Sequence, residues 1–362
     1  MNILYARMQG YDWVSTPSDA VARELEMLGH NVTIIETLDD VPAKKFDFVW
    51  APYETALFVG EAAAQKLCIP LVSHLETIPP WRIKRNIDFF NYGLTENDPE
   101  ISQQQLNYTI PYYERVGKAW KNAAIKTLSN HSRIDYHKKL LNITEDIPLR
   151  YPSIDVTSIN KAKNMYSPKH IENRILTVSR ATSIKRYDLL IQVMNQVQTK
   201  VTWAIIGDGP MLEVIKQKVT NPNVTLEIMG SKWGWSRYYE MMRSKLFVFA
   251  MGAMPPIEAA LLGSFPIVIE NQPTDDLPDF DKFMRYNFAF NKDDYKTTFF
   301  PIFQHNQIEE MAETIDAEII KPVGQSLAEN KTIEAFMRGD TNVTPSSVNA
   351  KQIIDRVKEI GI

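Results

Sequence analysis

The chain has 362 residues, of which 44% are hydrophobic and 23% charged, and a formal net charge of -4. This length exceeds one ordinary core and calls for two domains of soluble, globular composition. One cysteine excludes a disulfide framework, and the slightly acidic balance gives no overall attraction to nucleic acid, so no nucleic-acid partner is expected.

The N-terminal residues MNILYARMQGYDW have neither the basic nor the apolar segment of a secretory signal. No apolar run approaches bilayer-spanning length. The expected location is cytoplasmic, with any membrane contact peripheral, and Cys68, inside an apolar run, is expected to be a buried thiol.

Residues 2–6 read as a strand. Residues 18–28 read as a helix, with Ala20, Ala22, Leu25 and Leu28 at helical spacing, Ser18 as cap and Gly29 as terminator. The β-branched residues 31–35 form a second strand. Residues 46–51 and 70–73 are further parallel strands, joined by a crossover helix over 55–66. Residues 76–113, rich in Pro, Asn, Gln and aromatics, read as an irregular excursion. A helix over 113–122 and a strand over 124–129 follow, then a linker over 149–155.

The alternation then restarts. Strands are predicted over 174–179, 201–206, 224–229, 246–250 and 265–270. Helices are predicted over 187–197, 211–219, 237–243 and 257–262, with two more over 309–318 and 348–360. Strand–helix alternation of this kind specifies parallel sheets covered on both faces. The expected fold is α/β: two Rossmann-like doubly wound domains facing across a cleft. Residues 1–152 form the first, residues 153–345 the second, and residues 346–362 a terminal helix packing back toward the first.

Four segments of the second half bear on chemistry. Arg180 and Lys185 follow a buried strand, where a forked and a point cation suit a diphosphate; a pair of solvated surface charges is the plainer reading. Gly207-Asp208-Gly209-Pro210 makes a tight strand-to-helix turn and by itself is only that. Met254-Pro255-Pro256-Ile257-Glu258 opens a helix whose first N–H groups would make an anion site, with Glu258 in the first turn. It is either a helix-start residue or an acceptor for ribose hydroxyls. Gly230-Ser231-Lys232-Trp233-Gly234-Trp235 offers backbone groups to a base edge and a tryptophan to its face, although core packing of one or both tryptophans is at least as natural.

This order, Arg-x4-Lys, then Gly-Asp-Gly-Pro, then Pro-x-x-Glu-Ala-x-x-x-Gly, resembles the retaining glycosyltransferases of family 4, which adopt the GT-B fold. In the first half, Asn2-Ile3-Leu4, Leu28-Gly29-His30-Asn31-Val32 and Trp120 to Ser129 look like that family's opening strand, its turn and its segment before the linker. The resemblance implies that Arg180 and Lys185 hold the donor diphosphate and Glu258 the ribose. It also implies that His74, after Val72 and Ser73, faces the transferred sugar. Gly230, Ser231, Lys232, Met254 and Pro255 complete the donor site. Gly10, Ser15, Thr16 and His74 lie on the acceptor side.

Two departures qualify this. The family's other glutamate, eight residues before Glu258, is here Ala250, and its glycine pair after the first strand is absent. The implied partner is a UDP- or GDP-sugar, with the acceptor (carbohydrate, lipid-linked or other) unidentified. No metal or cofactor is implied, and Asp279-Phe280-Asp281 reads as a solvated loop. The alternative is a catalytically inactive sugar-nucleotide-binding subunit that supports a partner enzyme.

Overall fold

The structure is a computed structural model that describes residues 1–7, 17–52, 54–75, 115–128, 144, 147, 153–181, 185–250, 254–269, 301–328, 332–338 and 344–362. These divide into two compact units. The first holds the described residues up to Asp155 together with Thr344–Ile362, and the second lies within Val156–Val343.

The first unit is a five-stranded parallel sheet made of β1 (Asn2–Ala6), β2 (Asn31–Ile35), β3 (Phe48–Ala51), β4 (Leu71–Leu75) and β5 (Ile125–Leu128). Their order is β2-β1-β3-β4-β5. Between them run α1 (Pro17–Met27), α2 (Glu54–Leu67) and the helical residues 115–121 (α3). Side chains alternate across the strands. Leu4, Ala6, Val49 and Ala51 enter a core with Leu57, Ala63 and Trp120. Ile3, Tyr5, Phe48 and Trp50 enter a second core with Val21 and Leu25 of α1 and with Ile353, Ile354 and Val357 of a terminal helix, Ser346–Glu359. Burying a large aliphatic side chain contributes about 2 kcal/mol, so the terminal helix is an integral layer of this unit.

Two expectations need correction here. Cys68 is exposed. It follows α2 with a φ of 53°, and the N–H of Ile69 bonds to the carbonyl of Ala64 at 3.1 Å. This is a helix-ending, left-handed position more often filled by glycine, and it turns the thiol outward. The supposed linker is also structured in part: Ser153–Ile154 (β6) pairs in parallel with Thr344–Pro345. A two-residue pairing carries too little periodicity to be read from sequence.

The second unit opens with α4 (Val156–Met165), absent from the sequence reading. Its six parallel strands are β7 (Ile171–Val178), β8 (Val201–Ile206), β9 (Val224–Ile228), β10 (Ser244–Ala250), β11 (Phe265–Ile269) and β12 (Ile302–Phe303). The helices between them are α5 (Tyr187–Met194), α6 (Met211–Lys218), α7 (Gly234–Arg243) and α8 (Met254–Leu261), with α9 (Ile308–Ile320) after β12. The order is β12-β11-β10-β7-β8-β9. The chain therefore winds outward from β7 in one direction and returns beside it as β10 to wind in the other. The reversal between β7 and β10 opens a crevice at their carboxyl ends, the usual ligand position in open α/β sheets.

The excursion expected over residues 76–113 lies outside the described residues. So do Gly10, Ser15, Thr16, the basic and aromatic segment 80–85 and Asp279-Phe280-Asp281.

Candidate functional site

Both flanks of the β7/β10 crevice carry residues singled out in the sequence. Arg180 is the second residue after β7. It is exposed, and its guanidinium makes no ion pair among the described residues. Lys185 is half-buried just before Arg186, whose left-handed conformation (φ 48°) starts α5.

The loop bearing Arg180 is held on three sides. The N–H of Ala181 bonds to the carbonyl of Asp208 at 2.8 Å, and the carbonyl of Ala181 accepts from the N–H of Met211 at 2.9 Å. Tyr187, fully buried, bonds through its hydroxyl to the Ser179 hydroxyl at 2.9 Å. Burial pushes the Tyr187 phenol pKa up, so it stays neutral. Gly207 and Gly209 have φ values of 146° and 141°, a region that only glycine enters without strain. The Gly-Asp-Gly-Pro turn is thus more than a turn: it is the clamp for the Arg180 loop.

Behind that loop, the indole N–H of Trp203 donates to Thr177 Oγ1 at 3.0 Å. The Thr177 hydroxyl in turn donates to the carbonyl of Val248 at 2.8 Å. This chain of bonds ties β8, β7 and β10 together across the reversal point. A buried hydroxyl and indole so paired are satisfied as the interior requires.

On the other flank, α8 begins at Met254. Glu258 is its fifth residue, so it stands in the second turn and not the first. Pro255 and Pro256 have no N–H, which leaves Met254 and Ile257 as the donors of the opening turn. Both points weaken the anion site that the sequence reading placed here. The Glu258 side chain is 10% exposed and pairs with Arg237 of α7 at 2.9 Å. Burial opposes the Arg237 charge, but the Glu258 carboxylate and Tyr238 together more than offset it and raise the arginine pKa. Ala250, where the family keeps its other carboxylate, is buried in the apolar core of this unit.

The segment 230–235 follows β9. The Gly230 carbonyl accepts from the N–H of Gly207 at 2.9 Å, joining this segment to the glycine turn. Lys232 is held by Glu240 at 2.9 Å. Glu240 also meets Arg174, which is fully buried on β7 and pairs with Glu227 as well. Burial raises the Glu240 pKa, and hydrogen bonds from Lys232 and Arg174 outweigh it, so the net shift is downward. Trp235 packs edge-on to Tyr238 at 6.4 Å and under Lys161 at 5.7 Å. Trp233 is 50% exposed.

Sequence reasoning missed Arg174, Arg237 and Glu240. Arg174 did carry a signal, because a charge opening an apolar strand needs buried partners. Arg237 and Glu240, on an amphipathic helix, look like ordinary surface charges.

In the first unit, His74 is buried in β4, and its Nδ1 lies 2.8 Å from Thr127 Oγ1 of β5. The two residues face each other in the strand register. Trp50, Gln352 and Arg356 line the same small cavity. No group of three or more His, Cys, Asp or Glu side chains among the described residues is placed to hold a metal ion. No described helix is long and apolar enough to cross a membrane.

No protein-family model and no curated protein matches the chain. Solved structures do. An alpha-glucosyltransferase in complex with UDP matches with a TM-score of 0.64 at 12% identity, over 99% of both chains. An alpha-glucosyltransferase with UDP and a 13-mer DNA containing an HMU base matches at 0.66, again with 12% identity over 99% of both. Anabaena HepE in complex with UDP-glucose matches at 0.58 and 15% identity, over 99% of this chain and 100% of HepE. At such identities the likeness establishes the fold, which is the GT-B type with two Rossmann-like α/β domains.

Proposed function

We propose that the chain is a glycosyltransferase that takes a hexose from a nucleoside-diphosphate sugar, with UDP as the nucleotide. One observation carries this reading: Arg180 and Glu258 occupy the two flanks of the β7/β10 crevice, where a doubly wound sheet binds nucleotides. The UDP complexes of the similar structures favour uridine over guanosine.

In the proposed reaction the bond from sugar C1 to the diphosphate oxygen breaks and its electron pair leaves with the diphosphate. The acceptor hydroxyl oxygen bonds to C1 and gives its proton to the departing diphosphate. Arg180 and Lys185 stabilise the charge growing on the diphosphate, which is why metal-independent transfer is proposed. Glu258 accepts from the ribose hydroxyls, and Gly230, Ser231 and the exposed Trp233 meet the base. Lys232 acts on the base only through the loop that its pair with Glu240 holds. His74 is assigned to the acceptor side. Membership of family 4 and retention of configuration belong to the same proposal; Ala250 is their weakest point.

The acceptor has a second reading. The alpha-glucosyltransferase complexes with DNA extend over 98% or more of both chains. Their TM-scores of 0.66 and 0.64, against 0.58 for HepE, make a base in DNA the second candidate acceptor, despite the net charge of -4.

The test is incubation with UDP-glucose, UDP-N-acetylglucosamine and GDP-mannose, with and without hydroxymethylated DNA, and measurement of nucleotide-diphosphate release. Acceptor-dependent release of UDP supports the proposal. Tight UDP binding with no release under any condition supports the inactive subunit instead, and absence of binding removes both.

A further inference from the structure

Helix α7 carries two charged side chains one turn apart, each directed at a different edge of the nucleotide crevice. Glu240 holds Lys232 of the loop after β9, and Arg237 holds Glu258 of α8. The second contact has functional content. Arg237 Nη2 donates to Glu258 Oε1 at 2.9 Å, and the other carboxylate oxygen has no hydrogen-bond partner among the described residues. The guanidinium lies 5.0 Å from the Tyr238 ring centroid, and its Nε is buried with no hydrogen-bond partner among the described residues. Its orientation is therefore set by Tyr238, through the ring and a side-chain hydrogen bond, and by the carboxylate in front of it.

We propose that Arg237 is a positioning residue for ribose recognition: by pinning Oε1 it presents Oε2 of Glu258, held in one rotamer, to the ribose hydroxyls. The inference rests on the reading of Glu258 as the ribose acceptor. A glutamate side chain has three rotatable bonds, and a carboxylate free to turn about them presents no fixed acceptor to a ligand. The charge-assisted hydrogen bond from Nη2 of a guanidinium that is itself held in place limits that freedom. A lysine from the same position supplies the charge without the planar group that lies beside the Tyr238 ring, so it restores part of the effect.

The experiment compares UDP with 2′,3′-dideoxy-UDP by calorimetric titration of the full-length chain and three variants, with thermal unfolding of each as the folding control. The wild-type chain is expected to prefer UDP by about tenfold or more, since a site built around hydroxyl acceptance rejects the analogue lacking it. Glu258→Gln brings that ratio close to one. Arg237→Ala lowers the ratio at least fivefold, mostly by weakening UDP and not the dideoxy compound, and Arg237→Lys falls between. If Arg237→Ala does not fold, Arg237→Gln replaces it, with the same expectation. A wild-type ratio retained in Arg237→Ala, or in Arg237→Gln where that replaces it, but lost in Glu258→Gln overturns the role of Arg237 alone. A wild-type ratio retained in Glu258→Gln overturns the ribose reading itself. A wild-type chain that binds neither compound removes the inference together with the nucleotide site.

Discussion

A Cβ placed on Gly207 would stand 1.8 Å from the carbonyl oxygen of Ser179. The neighbour is backbone, so it cannot swing aside as a side chain would. Gly207 and the residue before Arg180 are thus in direct contact, and the position of the exposed cation depends on the absence of a side chain 27 residues away in the sequence.

Gly207→Ala is therefore expected to cost about 3 kcal/mol, from the clash together with a φ of 146° that alanine avoids. Its folded fraction is expected to bind UDP more weakly, because the Arg180 loop must move. Gly230→Ala is the contrast. Its φ is 66°, but a Cβ there meets nothing within 4 Å, so the cost is only about 1 kcal/mol. Chemical denaturation of the two variants checks the difference. Equal stability would mean that the contact at Ser179 is relieved at no cost.

Removing Arg180 should separate function from folding. The side chain is exposed and unpaired among the described residues, so Arg180→Ala is expected to unfold within a degree or two of wild type. Turnover of the donor should fall by about a hundredfold if the guanidinium stabilises a leaving diphosphate in a desolvated crevice. Lys185→Ala should lose turnover to a similar degree. Steady-state kinetics on UDP-glucose with both variants decides this; near-wild-type kcat in the two would detach the cations from the reaction.

Much of this arrangement was legible in the residues, and the reason is periodicity. In β1, β2 and β8 the apolar or β-branched runs coincide with the strands to the residue. The glycines after β8 mark a tight strand-to-helix turn, and their contacts with Ser179 and Ala181 arise only in the fold. The losses have physical causes too. Helix α4 has only Ile159 and Ala162 buried, too few apolar positions to show a period. Proline as the helix opener puts Glu258 in a first turn, whereas the helix opens at Met254. Ion pairs such as Arg174–Glu240 and Arg237–Glu258 join residues 66 and 21 positions apart, and pairing at such separations has no local signature.

The buried Arg174 network predicts an asymmetry. Arg174 is fully buried and shares its countercharge between the buried Glu240 and the more exposed Glu227, while Glu240 also has Lys232 and Arg243 within ion-pair reach. Glu240→Ala leaves a buried guanidinium short of countercharge and is expected to cost about 3–5 kcal/mol. Arg174→Met replaces the cation with an apolar chain of similar length and leaves Glu240 paired, so it should cost about 2 kcal/mol or less. Urea denaturation of the two variants tests the order, and a costlier Arg174→Met would show that the network is centred on the arginine's other partners.

The same network predicts how stability responds to acid. The Glu240 carboxyl is shifted downward because its cations outweigh its burial. A carboxyl with a depressed pKa in the folded state contributes stability that is fully present above its unfolded value, about 4.3 for glutamate, and is lost as pH falls through the folded value. Unfolding free energy measured between pH 7 and pH 3 should therefore hold at the upper end and decline below about pH 4.3. Other carboxyls titrate in that range, so the informative quantity is the difference between wild type and Glu240→Gln. That difference is expected to be constant above pH 5 and to shrink toward pH 3, because the amide has no proton to gain. A difference that stays constant to pH 3 would show that Glu240 takes up its proton as readily in the folded chain as in the unfolded one, and the cations around it would then have no hold on its charge.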